Sequence, residues 1–148
     1  MTASVLTLER SFAARASVVW ALWTDPEHFA QWYGPPGSTV EVEAYDLTAG
    51  GDRVIAMTVQ TPGGARTMTF TGRFVEVVND RRLVYTETVA EHAGEVTEVT
   101  VELTEHDGTT TLVLRHRGIP AGSPGEQGWI YALDALAVTV ARLSSPNS

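Results

Sequence analysis

Cysteine is absent from the 148 residues, and so is lysine: all ten basic side chains are arginine. Without a thiol there is no disulfide framework, no thiolate zinc site, no iron–sulfur cluster and no cysteine nucleophile. Without lysine there is neither Schiff-base chemistry nor a P-loop. Positive charge is scarce in general. Eighteen acidic residues against ten basic ones leave a formal charge of −8, so the average field repels a phosphate backbone and nucleic acid is not an expected partner. Long hydrophobic runs are missing too. Nothing approaches the roughly 18 consecutive apolar residues of a membrane span, and the first eleven residues carry no basic stretch leading into an apolar one. The expectation is a cytoplasmic protein with no membrane insertion.

What is present is period. A chain of this size buries roughly 70% of its unfolded surface without staples, and residues 1–143 read as one domain with a flexible polar tail at 144–148. Val5 to Phe12 alternates as a strand, with Arg10 in phase with Leu6, Leu8 and Phe12. Arg15 to Trp23 has helical spacing with no good cap, whereas Asp25-Pro26-Glu27 is a strong start signal for a second short helix. From Thr39 the period becomes two. Six strands follow: Thr39 to Asp46, Arg53 to Gln60, Arg66 to Val78, Leu83 to Ala90, Val96 to Thr104 and Thr109 to Arg117. Their short connections, rich in Gly, Pro, Asn and Asp, predict antiparallel pairing. After a loop over Gly118 to Gly128, Trp129, Leu133, Leu136 and Val140 recur at four, three and four, the stripe of a helix lying on a surface.

This order predicts an α+β fold in which a curved seven-stranded antiparallel sheet wraps a long C-terminal helix. The trough of such a sheet is wider than one helix fills, so a pocket is expected between them. Its inward positions are Arg53, Ile55 and Met57 on the third strand, Phe70 and Phe74 on the fourth, and Tyr85 and Glu87 on the fifth. Val101 on the sixth strand and Leu114 and His116 on the seventh continue the lining. Trp129 and Leu133 face them from the helix, and Trp32 stands at the mouth.

Local motifs point the same way. Val18 to Glu27 (VVWALWTDPE), Gln31 to Pro35 (QWYGP), Asp46 to Gly51 (DLTAGG), Phe70 to Val78 (FTGRFVEVV), Arg82 to Thr86 (RLVYT) and Gly128-Trp129 run through almost the whole chain. In kind and order they resemble the AHSA-type family, homologues of the activator of a heat-shock-chaperone ATPase, within the SRPBCC or START-like helix-grip superfamily. The resemblance implies the helix-grip fold, with two short helices after the first strand. It is less specific for function, because the family mixes ligand binders, resistance proteins and co-chaperone domains. It also implies an aromatic lining residue after the double glycine. Here Arg53 takes that place, so a purely apolar pocket is not implied.

Glu87 sits in phase with Leu83, Tyr85 and Val89. It is either a strand-end acid reaching water or a polar group inside an apolar pocket, orienting a ligand. Arg10 is its expected counterpart, with Arg53 a second cation in reach. Glu87 and His116 form an acid–base pair only if a further residue orients them, and none suggests itself. The other histidines, His28, His92 and His106, fall in a helix or turns, with no metal-ligand spacing. No nucleophile elbow accompanies the serines. No metal and no cofactor are expected.

The leading reading is non-catalytic binding of a small, largely apolar molecule, aromatic or polyketide- or lipid-like, in a stress-response setting. Two alternatives stay open. One is a polyketide cyclase- or aromatase-like enzyme. The other is a chaperone-associated interaction module, disfavoured because the eukaryotic members with that role carry a partner domain. A homodimer is compatible with either.

Overall fold

Alternation makes Val5–Phe12 a strand, β1, with Leu6 and Phe12 buried and Thr7, Glu9 and Ser11 exposed. The computed structural model describes residues 5–34, 37–89, 96–119 and 122–144. Pro35, Pro36, Ala90, His92 and the tail beyond Ser144 lie outside them. Two short helices follow, α1 (Ala16–Thr24) and α2 (Pro26–Trp32). The weak local start of α1 is compensated from far away. Arg15 stands at its N-cap without a side-chain bond, and the Ala16 N–H donates instead to Oε1 of Glu105 at 2.7 Å. A distant carboxylate thus satisfies one of the orphan donors of the first turn. α2 has the local cap its sequence predicts, Asp25 Oδ1 accepting from the Glu27 N–H at 3.0 Å with Pro26 beginning the helix.

Six strands then run as a meander: β2 (Thr39–Tyr45), β3 (Asp52–Thr61), β4 (Gly64–Val78), β5 (Arg82–Val89), β6 (Val96–His106) and β7 (Thr109–Arg117). The sheet order is β1-β7-β6-β5-β4-β3-β2, with every neighbouring pair antiparallel. Asp107 and Gly108 join β6 to β7 at φ 50° and 77°, the two positive values a two-residue type I′ turn needs. β1 closes against β7, Leu6 opposite His116.

The last element, α3 (Pro124–Ser144), buries Trp129, Leu133, Leu136 and Val140. It is 21 residues long, roughly 31 Å at ~1.5 Å per residue. It begins before the predicted boundary, so Trp129 lies in its second turn rather than at its opening. The reason is a cap: the Glu126 N–H reaches both Oγ and the carbonyl of Ser123, and Pro124 takes the first helical position. Ser123-Pro124-Gly125-Glu126 is the spacing of a capping box. Among the described residues, no helix is long and apolar enough to cross a membrane.

Candidate ligand site beneath the terminal helix

Register brings the site together. Arg53 on β3 lies opposite Gly72 on β4. In the register set by Thr71 against Thr88 and Phe74 against Tyr85, Gly72 lies opposite Glu87 on β5. The glycine is sterically required, since a Cβ there would stand 1.8 Å from the Thr86 carbonyl oxygen. With no side chain in the middle strand, Arg53 spans it and its Nη1 donates to Oε2 of Glu87 at 3.1 Å. Both side chains are buried, at 0% and 5% exposure, so the strand-end reading of Glu87 does not hold. Nor is Arg10 its partner. Arg10 lies on the edge strand β1, separated from β5 by β7 and β6, and donates to the Glu9 carbonyl.

Aromatic rings enclose the pair. The Arg53 Cζ sits 3.9 Å over the Tyr85 ring, 5.3 Å from Phe29 and 5.8 Å from Tyr45, within the range of cation–π attraction. Burial raises the pKa of the Glu87 carboxyl even though Arg53 pulls it down. Burial also raises the Tyr85 and Tyr33 hydroxyls, and it pushes Tyr45 up to about 12. These tyrosines are therefore neutral at physiological pH.

A second polar group closes the cluster from the β7 side. The Trp129 Nε1–H donates to Nδ1 of His116 at 2.8 Å, so the proton of the neutral ring is on Nε2, which lies 2.8 Å from Thr97 Oγ1. Thr97 in turn donates to the Glu87 backbone carbonyl at 3.2 Å. His116 thus reaches the backbone of Glu87 and not its carboxylate. Burial, then the positive charge of Arg53, lowers its pKa to about 4.

Four donor atoms in the cluster remain unused. Arg53 Nε and Nη2, Trp23 Nε1 and the Tyr85 hydroxyl are all buried without a hydrogen-bond partner. The Trp23 indole lies near enough to the Tyr85 hydroxyl, and the Arg53 guanidinium to the Tyr45 hydroxyl, to favour each phenol's ionised form, yet none of the four donor atoms completes a bond. Buried donors in this condition are uncommon and call for an explanation.

The remaining predicted positions lie in the core or pack against it. Ile55, Met57, Val101, Leu114 and Leu133 are buried and apolar. Phe74 meets Tyr45 at 5.1 Å and Tyr85 at 6.1 Å, and half-buried Phe70 meets Tyr33 at 6.3 Å. Trp32 lies deeper than the mouth, at 2% exposure, with its Nε1–H bound to the Leu22 carbonyl at 2.7 Å. The sequence pattern does not single out Phe29, Tyr33, Tyr45 or Thr97, and Trp23, a buried core residue, also borders the cluster. Trp23 stacks on Trp129 at 6.0 Å, and Tyr33 packs on Phe29, Trp32 and Trp129. Tyr45 was within reach of the strand pattern. Tyr33 sits at a helix C-cap, where period carries no signal. A separate open groove of about 480 Å³ lies on the outer face, lined by Glu41, Glu43 and threonines of β2, β3 and β4.

Comparison with known proteins supplies a frame for this site. A family model described as Activator of Hsp90 ATPase homolog 1-like protein matches residues 13–141. Among solved structures, a protein from Chromobacterium violaceum is 26% identical at a TM-score of 0.83, covering 93% of this chain and 96% of its own. A protein from Rhodobacter sphaeroides is also 26% identical, with a TM-score of 0.81 and coverage of 96% and 95%. The AHSA1 protein from Silicibacter pomeroyi is 26% identical with a TM-score of 0.77, over 93% of this chain and 98% of that one. No curated protein matches.

Proposed function

Because the chain belongs to the Activator of Hsp90 ATPase homolog 1-like family, whose helix-grip α+β fold it shares, we propose that it binds a small, largely apolar ligand between the sheet and α3. The reading is a cytoplasmic binding protein without catalysis. The observation that carries it is the Arg53–Glu87 pair, set in an aromatic interior. Burying two charges is costly, and exchanging such a pair for apolar residues of similar volume is often neutral or stabilising by about 1–4 kcal/mol. A fold under selection for stability alone has no need of it. A polar group surrounded by rings is the usual make-up of a site that orients a mostly apolar molecule.

The cyclase-like alternative draws less support, because both ring nitrogens of His116 are committed to protein partners and an acid–base catalyst needs one free for its substrate. The test is a thermal-shift screen with polycyclic phenols and lipids. A ligand present at 100 times its dissociation constant stabilises the native state by about 2.7 kcal/mol. For a chain of this size that raises the midpoint by roughly 5–10 °C. A flat response across the screen at the solubility limit overturns the reading.

A further inference from the structure

We propose that Arg53, assisted by Trp23 and Tyr85, is the polar anchor for an uncharged oxygen acceptor on the ligand, namely a carbonyl conjugated to an aromatic ring. This rests on the binding reading above and specifies the chemistry the site recognises.

The guanidinium of Arg53 sets the polarity of the site. Its Nη1 is engaged by Glu87, while Nε and Nη2 are buried and unpaired. These two nitrogens form one edge of the planar group, a fork of parallel N–H bonds able to converge on an acceptor. The Trp23 indole can only donate, and the Tyr85 hydroxyl has its own proton to offer. The Tyr85 hydroxyl and the Glu87 carboxylate also hold lone pairs, but Arg53 Nε, Arg53 Nη2 and Trp23 Nε1 can only donate, so what the cluster most lacks is an oxygen with lone pairs.

Charge selects among oxygens. Arg53 is the one buried cation among the described residues, and Glu87 already balances it. A carboxylate or phosphate would leave an uncompensated negative charge in an aromatic interior, and would first have to approach a chain of net charge −8. A carbonyl satisfies the fork at no change of charge. The rings select the rest. Trp23 stacks parallel to Trp129 at 20°, and Tyr33 sits edge-on to both Phe70 and Trp129, so the surroundings offer π-faces and edges to a flat ligand.

Three probes of one ring skeleton separate these statements: fluorenone, fluorene and fluorene-9-carboxylate. Affinity is measured by fluorescence titration on the wild-type chain and on Arg53→Met/Glu87→Leu, which removes both charges together, with the unfolding midpoint checking its fold. Fluorenone is expected to bind wild type about tenfold more tightly than fluorene, the range of a hydrogen bond to a charged donor. That preference is expected to vanish in the double variant. The Arg53 Nε–H resonance of wild type is the readout that needs no variant, and it is expected to move with fluorenone and stay with fluorene. Equal wild-type affinity for fluorene and fluorenone overturns the anchor but leaves apolar binding standing, as does a preference that survives in the double variant. Tightest binding by the carboxylate overturns the uncharged class. An Nε–H signal that responds alike to both neutral probes also overturns the anchor. Failure of all three to bind at their solubility limit removes the anchor together with the binding reading for flat aromatic ligands.

Discussion

Trp129 holds the proton of His116 in place: by donating its indole N–H to Nδ1 at 2.8 Å, it confines the ring proton to Nε2, where Thr97 receives it. The ring therefore belongs to a filled chain of hydrogen bonds that a second proton would break. Its pKa falls from 6.5 to about 4. A folded-state value below the unfolded one means that the stabilisation is complete above pH 6.5 and is lost as pH falls toward 4. Its full size is about 3 kcal/mol. Glu87, whose pKa burial raises, acts in the opposite sense, stabilising below its unfolded value and losing that contribution as pH rises. Nitrogen NMR isolates the histidine. The expected spectrum is the neutral Nε2–H tautomer, unchanged from pH 8 down to about 5; a midpoint near 6.5 contradicts the burial of the ring beside Arg53, and an Nδ1–H tautomer contradicts the hydrogen-bond chain.

The Arg53–Glu87 pair makes single and double substitutions behave differently. Glu87→Leu strands a buried guanidinium and should cost about 3–5 kcal/mol, whereas Arg53→Met/Glu87→Leu should recover most or all of that loss. Chemical denaturation of these two together with Arg53→Met and the wild type forms a double-mutant cycle. Additive losses would show that the two side chains do not act as a pair.

Gly72→Ala tests the narrow crossing. Its Cβ has no room beside the Thr86 carbonyl, and the obstacle is backbone, so β4 and β5 must separate. A loss of at least about 2 kcal/mol is expected, with amide shifts centred on Glu87. A neutral substitution would mean that the strands do not approach so closely.

Leu133→Ala should cost about 2–5 kcal/mol, since Leu133 is fully buried on the inner face of α3. A loss under about 0.5 kcal/mol in denaturant unfolding would detach α3 from the sheet.

Glu105→Ala should destabilise by about 1 kcal/mol through the loss of the carboxylate that caps α1. Hydrogen exchange at Ala16 is the direct readout, and unchanged protection there contradicts the cap.

Much of this architecture was legible because period survives in a sequence. Alternation placed Arg53, Tyr85, Glu87 and His116 on one face, and the Asp107-Gly108 and Asp25-Pro26 signals located a turn and a helix start. What alternation cannot state is which in-phase cation meets which acid. Arg10 and Arg53 look equivalent along the chain, and strand order alone separates them. The cap of α1 was illegible for a similar reason, since Glu105 lies 89 residues from Ala16. The start of α3 was readable at Ser123-Pro124-Gly125-Glu126 but was hidden within a glycine-rich loop. Tyr33 and the unpaired edge of Arg53 depend on how α2 docks on the sheet, and no local pattern encodes that.

The placement of β1 beside β7 also governs when the protein can fold. Val5 pairs with Arg117 and Phe12 with Thr110, so the first strand made during synthesis has no partner until the seventh has emerged. At about 5–20 residues per second, that wait lasts several seconds or more. Until then the backbone groups of β1 lack the β7 edge they pair with, and α3, which packs on β1, has not been made. Closing the sheet therefore comes late and joins distant parts of the chain, the arrangement that slows folding. A nascent chain halted before β7 would present an unpaired, half-apolar strand, a natural target for a holding chaperone.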